Sequence, residues 1–366
     1  MHTAIAILNW NTVDYLRRFL PPLIASTEGE DAEIIVIDNA STDGSMEMME
    51  KEFPDIRTIR LDRNYGFTGG YDRGLAPVDA DCFILLNTDV EVPVDWLAPI
   101  LRTMENCPEV GACAPKIMSW HDRKSFEYAG AAGGYIDSLG FPFCRGRVPG
   151  KVEKDEGQYD NAPRDVMWAS GACLAIRSGL FRKLGGLDDR FFAHMEEIDF
   201  CWRLQLEGYA VRIVPESKVW HIGGGTLPQT SPRKLKFNFR NNLLMLQNNL
   251  ARTFAIRLLN SGLEPAVAAR KACRKARRRI FLRMMVDGAA ALAYLLKADI
   301  ASFRAVVEAH SEFRKLGNWP SAQEVGAFAA GHPDSAVRGI MPGSIVLKTL
   351  VYGKKIFSKL RYADYH

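Results

Sequence analysis

The 366-residue sequence has few of the features that mark a stapled or a membrane-spanning chain. Its seven cysteines (Cys82, Cys107, Cys113, Cys144, Cys173, Cys201 and Cys273) are odd in number, and no two are spaced CxxC. Such a set excludes a disulfide framework and a cysteine-rich zinc site, and it points to free thiols in a reducing cytosol. A basic leader with an apolar core and a cleavage site is also missing, because Met1 runs almost directly into the apolar residues 3–8; no signal peptide is expected. The apolar stretch 284–296 is 13 residues long and contains Asp287. A spanning helix needs about 20 apolar residues, so this one is not expected to cross a bilayer. There is no internal repeat, and glycine and proline are too sparse for low complexity. What remains is a globular composition, 47% hydrophobic and 25% charged.

The net charge of +4 conceals an asymmetry. Residues 1–232 carry 23 basic and 35 acidic groups, whereas residues 233–283 carry 14 basic groups against the single acid Glu264. A block of this sign calls for an anionic partner, most often nucleic acid or a membrane surface.

Short apolar runs alternate with helical periodicity through the first hundred residues. Residues 3–8, 33–38, 56–61 and 81–87 read as strands; Val13, Leu16, Leu20 and Leu23 recur at helical spacing, with Pro21-Pro22 expected to end or bend that helix. Ser41, Thr42 or Asp43 can cap a second helix. Residues 110–180 are irregular, 196–207 read as a helix, 211–214 and 218–220 as two short strands, and the chain from about 233 as basic helix. This alternation predicts an α/β fold around a mostly parallel sheet. Ligands of such sheets bind at the carboxyl ends of the strands. Asn9, Asn11, Asp38, Asn39, Asn64, Asn87 and Asp89 all follow a strand directly.

Four segments could carry chemistry. Asn87-Thr88-Asp89 and Glu91 form an acidic strand tip; carboxylates suit a hard divalent cation, which would stabilise a departing diphosphate, although an ordinary polar turn has the same composition. Asp38 could accept the N3–H of a pyrimidine, while its neighbours cap a helix. Glu196, Glu197 and Asp199 crowd one helical turn. Like charges raise each other's pKa and can make a general base, but the first turn of any helix also favours acids, and Arg203 could pair with Asp199. His221 precedes Gly223-Gly224-Gly225; imidazole is a common metal ligand, and also a common structural residue.

Taken in order, ILNWN (7–11), VIDNASTDGS (36–45), NYGFTGGYDRGL (64–75), FILLNTDVEV (83–92), WASGACLAIR (168–177), GGLDDRFFAHMEEIDFCWRL (185–204) and VWHIGGGT (219–226) resemble the family 2 glycosyltransferases of the GT-A fold, in particular their bacterial rhamnosyltransferase-like branch. The resemblance runs from residue 3 to about 250. Beyond it, composition reads as a helical, basic region over 251–366 that associates with a membrane or forms oligomers, and the resemblance itself implies a catalytic domain over 1–250. It further implies an inverting, metal-dependent hexosyl transfer, with rhamnose as one candidate sugar, from a dTDP- or UDP-sugar to a glycan or lipid-linked glycan of the bacterial surface. On the donor side it assigns Asp38 to the base, Asn64, Gly66 and Phe67 to the nucleotide pocket with Asn9 and Asn39 beside them, and Asn87 to ribose or phosphate. Asp89 and His221 would hold Mg2+ or Mn2+, the histidine favouring Mn2+. Glu197 would be the base, supported by Glu196 and Asp199, and Trp168, Ser170 and Gly171 would line the acceptor side. The sequence departs from the family pattern where Asn87 replaces an Asp, Glu197 stands for the commoner Asp, and Asp72 stands for the commoner Asn.

Beyond residue 250, RKACRKARRR (270–279) leads into apolar residues, and 344–359 mix apolar and basic ones. A basic helix of this kind suits the interface of an anionic bilayer and a peripheral position on the inner face of the cytoplasmic membrane; packing on the core or on a second copy is the plainer alternative. A nucleic-acid-binding protein would interleave aromatics with the cations, but Phe281 stands nearly alone. A nucleotidyltransferase would need an N-terminal glycine-rich phosphate loop, and residues 7–16 have no glycine.

Overall fold

The computed structural model describes residues 1–128, 130–148, 150–162, 164–223 and 231–352. Gly224, Gly225 and the tail residues 353–359 lie outside the described residues. Strands and helices alternate first: β1 (Thr3–Asn9), α1 (Val13–Thr27), β2 (Ala32–Asp38), α2 (Ser45–Glu52), β3 (Arg57–Arg60), α3 (Gly66–Leu75), β4 (Cys82–Leu86), β5 (Val90–Glu91), α4 (Leu97–Asn106) and β6 (Val110–Ser119). Four short strands follow, β7 (Gly134–Asp137), β8 (Pro142–Cys144), β9 (Arg147–Val148) and β10 (Lys151–Val152). The chain then returns through β11 (Asp165–Val166), β12 (Cys173–Arg177), α5 (Ser178–Lys183), α6 (Glu196–Leu206) and β13 (Ala210–His221). It closes with α7 (Pro232–Asn260), α8 (Pro265–Leu296), α9 (Ile300–Leu316), α10 (Ala322–Gly331), β14 (Ile340–Met341) and α11 (Ile345–Tyr352).

The main sheet runs β11-β13-β6-β12-β4-β1-β2-β3, with β5 paired to β13. β1 to β4 are parallel, as expected, and β12 lies antiparallel between β4 and β6, so the sheet is mixed. Its central strands are buried on both faces. Along β1, Ile5 and Ile7 pack with Leu16, Leu20 and Leu23 of α1, while Ala4 and Ala6 face Tyr71 and Leu75 of α3. This two-sided burial explains why these strands read as continuous apolar runs. The irregular region 110–180 contributes β6 and β12 to this sheet and β7 to β10 to a second one, β10-β9-β8-β7-β14.

Three local expectations are corrected. α1 continues through Pro21-Pro22, because these prolines sit on its exposed to half-exposed side, where water can satisfy the freed carbonyls. Residues 211–214 and 218–220 belong to one strand, β13, whose register on β6 shifts between Val214 and Lys218. α2 starts only at Ser45, after Gly44, and the Asp43 carboxylate accepts from Val13 N at 2.8 Å and from Ser45 N at 3.1 Å, tying the starts of two helices together. All seven cysteines are free.

Helix α7 packs against α6 on one side and α8, α9 and α10 on the other. The boundary expected near residue 250 therefore falls within a single helix. Its basic residues are not all solvated: Arg240 is buried and bonds Glu312 and Phe191 O, and Arg283 of α8 is buried as well. Among the described residues, no helix is long and apolar enough to cross a membrane.

Candidate active site

The carboxyl ends of β1, β2 and β4 and the end of β13 open into a cavity of about 560 Å³. Pairing of β13 with β5 sets His221 opposite Val90, which brings its ring beside Asp89. His221 Nε2 lies 3.1 Å from Asp89 Oδ1 and 3.4 Å from Asn87 Nδ2, and Gly223 N donates to Asp89 Oδ2 at 3.2 Å. Burial opposes both charges. The Asp89–His221 pairing outweighs it, holding Asp89 below the usual carboxylate range; Asp89 and Glu127 together push His221 up to about 10. Glu127 Oε2 stands 3.8 Å from His221 Nδ1, where it can orient the ring. Glu91 is engaged elsewhere, by Arg123 and Trp120.

Asp89 and His221 offer one oxygen and, once the imidazole gives up its proton to an incoming cation, one nitrogen converging from different strands; both residue types ligate divalent cations. Among the described residues, no group of three or more His, Cys, Asp or Glu could hold a metal. The pair therefore fits an ion whose remaining ligands come from a bound anion or water.

Across the cavity, α6 begins with Glu196 and Glu197. The chain enters it through Phe192, His194 and Met195, all with left-handed φ of 64° to 73°. Residues other than glycine hold this conformation only when their surroundings impose it. Here the Asn241 amide donates to Phe191 O, Ala193 O and His194 O at 3.0, 2.7 and 2.7 Å. Gly66 meets the same turn. A Cβ on Gly66 would lie 2.5 Å from Phe192 O, so only glycine lets Phe67 N donate to that oxygen at 2.6 Å. Burial raises Glu197 to about 7 and Glu196 well above its ordinary value, where the neighbouring Glu197 adds to the effect. One carboxylate oxygen of each is buried with no hydrogen-bond partner among the described residues.

Other expected residues fall into two groups. Asn39, Asn64, Gly66, Phe67, Asn87, Trp168, Ser170 and Gly171 line the cavity. The Trp168 indole lies flat against Gly134, where a Cβ would come within 2.0 Å, and donates to Tyr135 O at 3.0 Å. Asn9 and Asp38 stand behind the wall. Asn9 Nδ2 donates to Asp38 Oδ1 at 2.9 Å and Ser41 N to Asp38 Oδ2 at 3.2 Å, so this carboxylate also supports the loop. Asp199, expected beside Glu197, points away from the cavity. It is wholly buried and accepts from Arg203, Asn248 and Asn249 at 2.8, 2.9 and 2.8 Å, clamping α6 to α7.

Sequence reasoning missed Glu127, Tyr128, Arg147, His194, Lys234 and Arg283, which also line the cavity. They come from the β6–β9 region, the α6 entry turn and the C-terminal helices, and no local periodicity marks them. Burial and Lys234 lower His194 to about 4, keeping its ring neutral, and its Nε2 has no hydrogen-bond partner.

A mixed α/β sheet with an Asp–His pair at one lip of a strand-end cavity and paired carboxyls at the other suits group transfer from an anionic donor. Residues 4–139 match the family described as glycosyl transferase family 2, and residues 82–296 match glycosyl transferase family group 2. The chain belongs to the family 2 glycosyltransferases and has their GT-A fold. It is 28% identical over 235 residues to the N-acetylglucosaminyl-diphospho-decaprenol L-rhamnosyltransferase of Mycobacterium tuberculosis, covering 59% of this chain and 75% of that one. It is 26% identical over 213 residues to the O-antigen biosynthesis protein RfbC of Myxococcus xanthus, covering 57% of this chain but 16% of that protein. Among solved structures it resembles GalNAc-T7 with UDP, GalNAc and Mn2+ (TM-score 0.51, 17% identity, 72% of this chain and 52% of that chain). It also resembles Staphylococcus aureus TarS 1–349 in complex with UDP-GlcNAc (TM-score 0.50, 13% identity, 85% of this chain and 92% of that chain). At these identities the structural likeness establishes the fold.

Proposed function

We propose that this glycosyltransferase moves a hexose, with rhamnose the first candidate, from a dTDP- or UDP-sugar to a hydroxyl of a glycan or lipid-linked glycan, inverting the anomeric centre. The observation that carries this reading is the placement of Asp89–His221 and Glu196–Glu197 on one cavity. Asp89 and His221 hold a divalent cation, Mg2+ or Mn2+, which neutralises the donor diphosphate when bound. Asn64, Gly66, Phe67 and Asn87 line the donor side. Trp168, Ser170 and Gly171 form the acceptor wall.

Glu197 removes the proton of the attacking hydroxyl, and that oxygen displaces the nucleoside diphosphate from the opposite face. With its pKa near 7, Glu197 is basic enough to take a proton and about half ionised at neutral pH. Glu196 stays protonated beside it, which spares the site a second negative charge. The catalytic domain over 1–250 carries this chemistry, and the region 251–366 places the enzyme peripherally on the inner face of the cytoplasmic membrane.

Thermal stabilisation by UDP, dTDP, GDP, CDP and ADP, with and without Mn2+, tests the donor side. A ligand at a hundred times its dissociation constant adds about 2.7 kcal/mol. A metal-dependent response to UDP or dTDP, lost in Asp89→Ala, is expected; a response to none of the five would reject the donor site. The anomeric configuration of the product, read by NMR, decides between inversion and retention.

A further inference from the structure

Helix α8 packs through one seam. Ala268, Ala272, Ala276, Ile280, Asp287 and Ala291 are buried, and their spacing of four or seven residues keeps them on one face. The opposite face has two halves. Arg270, Lys271, Arg274 and Arg278 are exposed on the first, and none of them forms an ion pair among the described residues. On the second half, Phe281, Met285, Leu292 and Leu296 are exposed by 62, 60, 54 and 80%. From 281 to 296 this apolar row is about 22 Å long at the rise of an α-helix. A row of this size on a water-exposed helix marks an interaction surface.

The order of charge and apolarity selects the occupant. In a symmetric contact with a second copy, parallel helices would oppose cation to cation, and antiparallel helices would at best pair the apolar halves and leave the cationic halves in water without a partner. A nucleic acid would use the cationic half and leave the apolar half in water. An anionic bilayer satisfies both halves of a helix lying in its interface, the headgroups taking the cations and the acyl boundary the apolar row.

Helix α11 joins the same corner. The Arg279 guanidinium donates to Ser138 O, and the Ser138 hydroxyl donates to Gly343 O at 2.7 Å, just before α11 exposes Leu347, Leu350 and Val351 by 64, 77 and 76%.

We propose that the outward face of α8 docks in the interface of an anionic bilayer and holds the cavity one helix thickness above it, within reach of a lipid-anchored acceptor. Arg283 supplies the geometry. It lines the cavity from the inner side of α8, directly behind the exposed row. Its guanidinium stacks on Phe141 at 3.7 Å and donates to Leu139 O at 3.2 Å, so α8 also braces the cavity wall. A helix is about 10 Å across, which sets the distance from bilayer to wall. The acceptor part of the proposal rests on the transferase reading, whereas the docking does not.

Flotation of the full chain with phosphatidylglycerol–phosphatidylcholine vesicles, against phosphatidylcholine alone and at low and high salt, tests the docking. Binding to the anionic vesicles that weakens with salt is expected. The pairs Met285→Glu with Leu292→Glu and Arg274→Glu with Arg278→Glu should each weaken it at least about tenfold. All four positions are exposed, so both variants should keep the nucleotide-induced thermal stabilisation. Absence of flotation at low salt, or flotation of both variants equal to that of the parent, overturns the proposal. So does a dimer in light scattering that the Met285/Leu292 pair dissociates while vesicles are ignored, or a DNA mobility shift that the Arg274/Arg278 pair abolishes with the same result. Absence of any nucleotide-induced stabilisation in the parent would sink the donor-site reading and leave the flotation result standing.

Discussion

Replacing Glu197 by glutamine should disable the enzyme and stabilise it at the same time. Burial raises the Glu197 carboxyl from its ordinary 4.5 to about 7. Below pH 4.5 the group is protonated in the folded and unfolded chains alike, and it contributes no pH dependence. Between 4.5 and 7 the unfolded chain ionises while the folded chain keeps its proton, so stability falls as pH rises and levels off above about 7. The full difference is worth ~3 kcal/mol, and sharing of the burden with Glu196 brings the expected range to ~1–3 kcal/mol. Glutamine resembles the neutral form and does not titrate. Urea unfolding without metal or nucleotide should therefore show Glu197→Gln equal to the parent near pH 4 and more stable by that amount at pH 8. Turnover should fall at least about a hundredfold, the low end for loss of a general base. In the parent, kcat/KM should rise about tenfold per pH unit below 7 and flatten above it. A variant that is no more stable at pH 8, or a parent profile flat between pH 5 and 8, would refute the assignment of a buried, titrating base.

Asp72 accepts from Leu187 N at 2.9 Å and is raised by burial to about 7, so the commoner Asn should keep the bond, remove the penalty and increase stability by ~1–3 kcal/mol at pH 8 in urea melts, with little change at pH 4. Asn241→Leu removes three hydrogen bonds to the α6 entry turn; a stability loss of ~2–4 kcal/mol and a fall in kcat larger than the change in nucleotide affinity are expected, measured by denaturation and steady-state kinetics. Gly66→Ala must relieve a 2.5 Å contact with Phe192 O at a φ of +74°, which should lower the melting temperature and weaken nucleotide binding together, as read by calorimetry.

Much of the architecture was readable in the chain because its causes are local. The runs at β1, β2 and β4 are apolar on both faces, and such segments can only be central strands of a covered sheet. Polar residues at their ends marked the rim of the cavity for the same reason. Where the reading failed, a longer-range partner had intervened. Pro21-Pro22 did not end α1, because solvent lies on their side of the helix. The loop support that Asp38 gives was likewise not legible, because it depends on β1 running parallel beside β2 and placing Asn9 opposite it.

The division within the acidic turn shows the limit most clearly. Glu196, Glu197 and Asp199 look equivalent in sequence, and helix geometry alone turns the third away from the first two. Which direction faces the cavity was decided by α7, whose Asn248 and Asn249 capture Asp199 from some fifty residues away. The family, the strand-end location of the site and the Asp89 and Glu197 positions followed from sequence, since motif order and residue type are properties of the chain. The tertiary structure set His221 Nε2 3.1 Å from the Asp89 carboxylate and buried Glu197 into a pKa near 7. It also turned one face of α8 inward to brace the cavity wall and left the other open, because burial and distance are properties of packed surfaces.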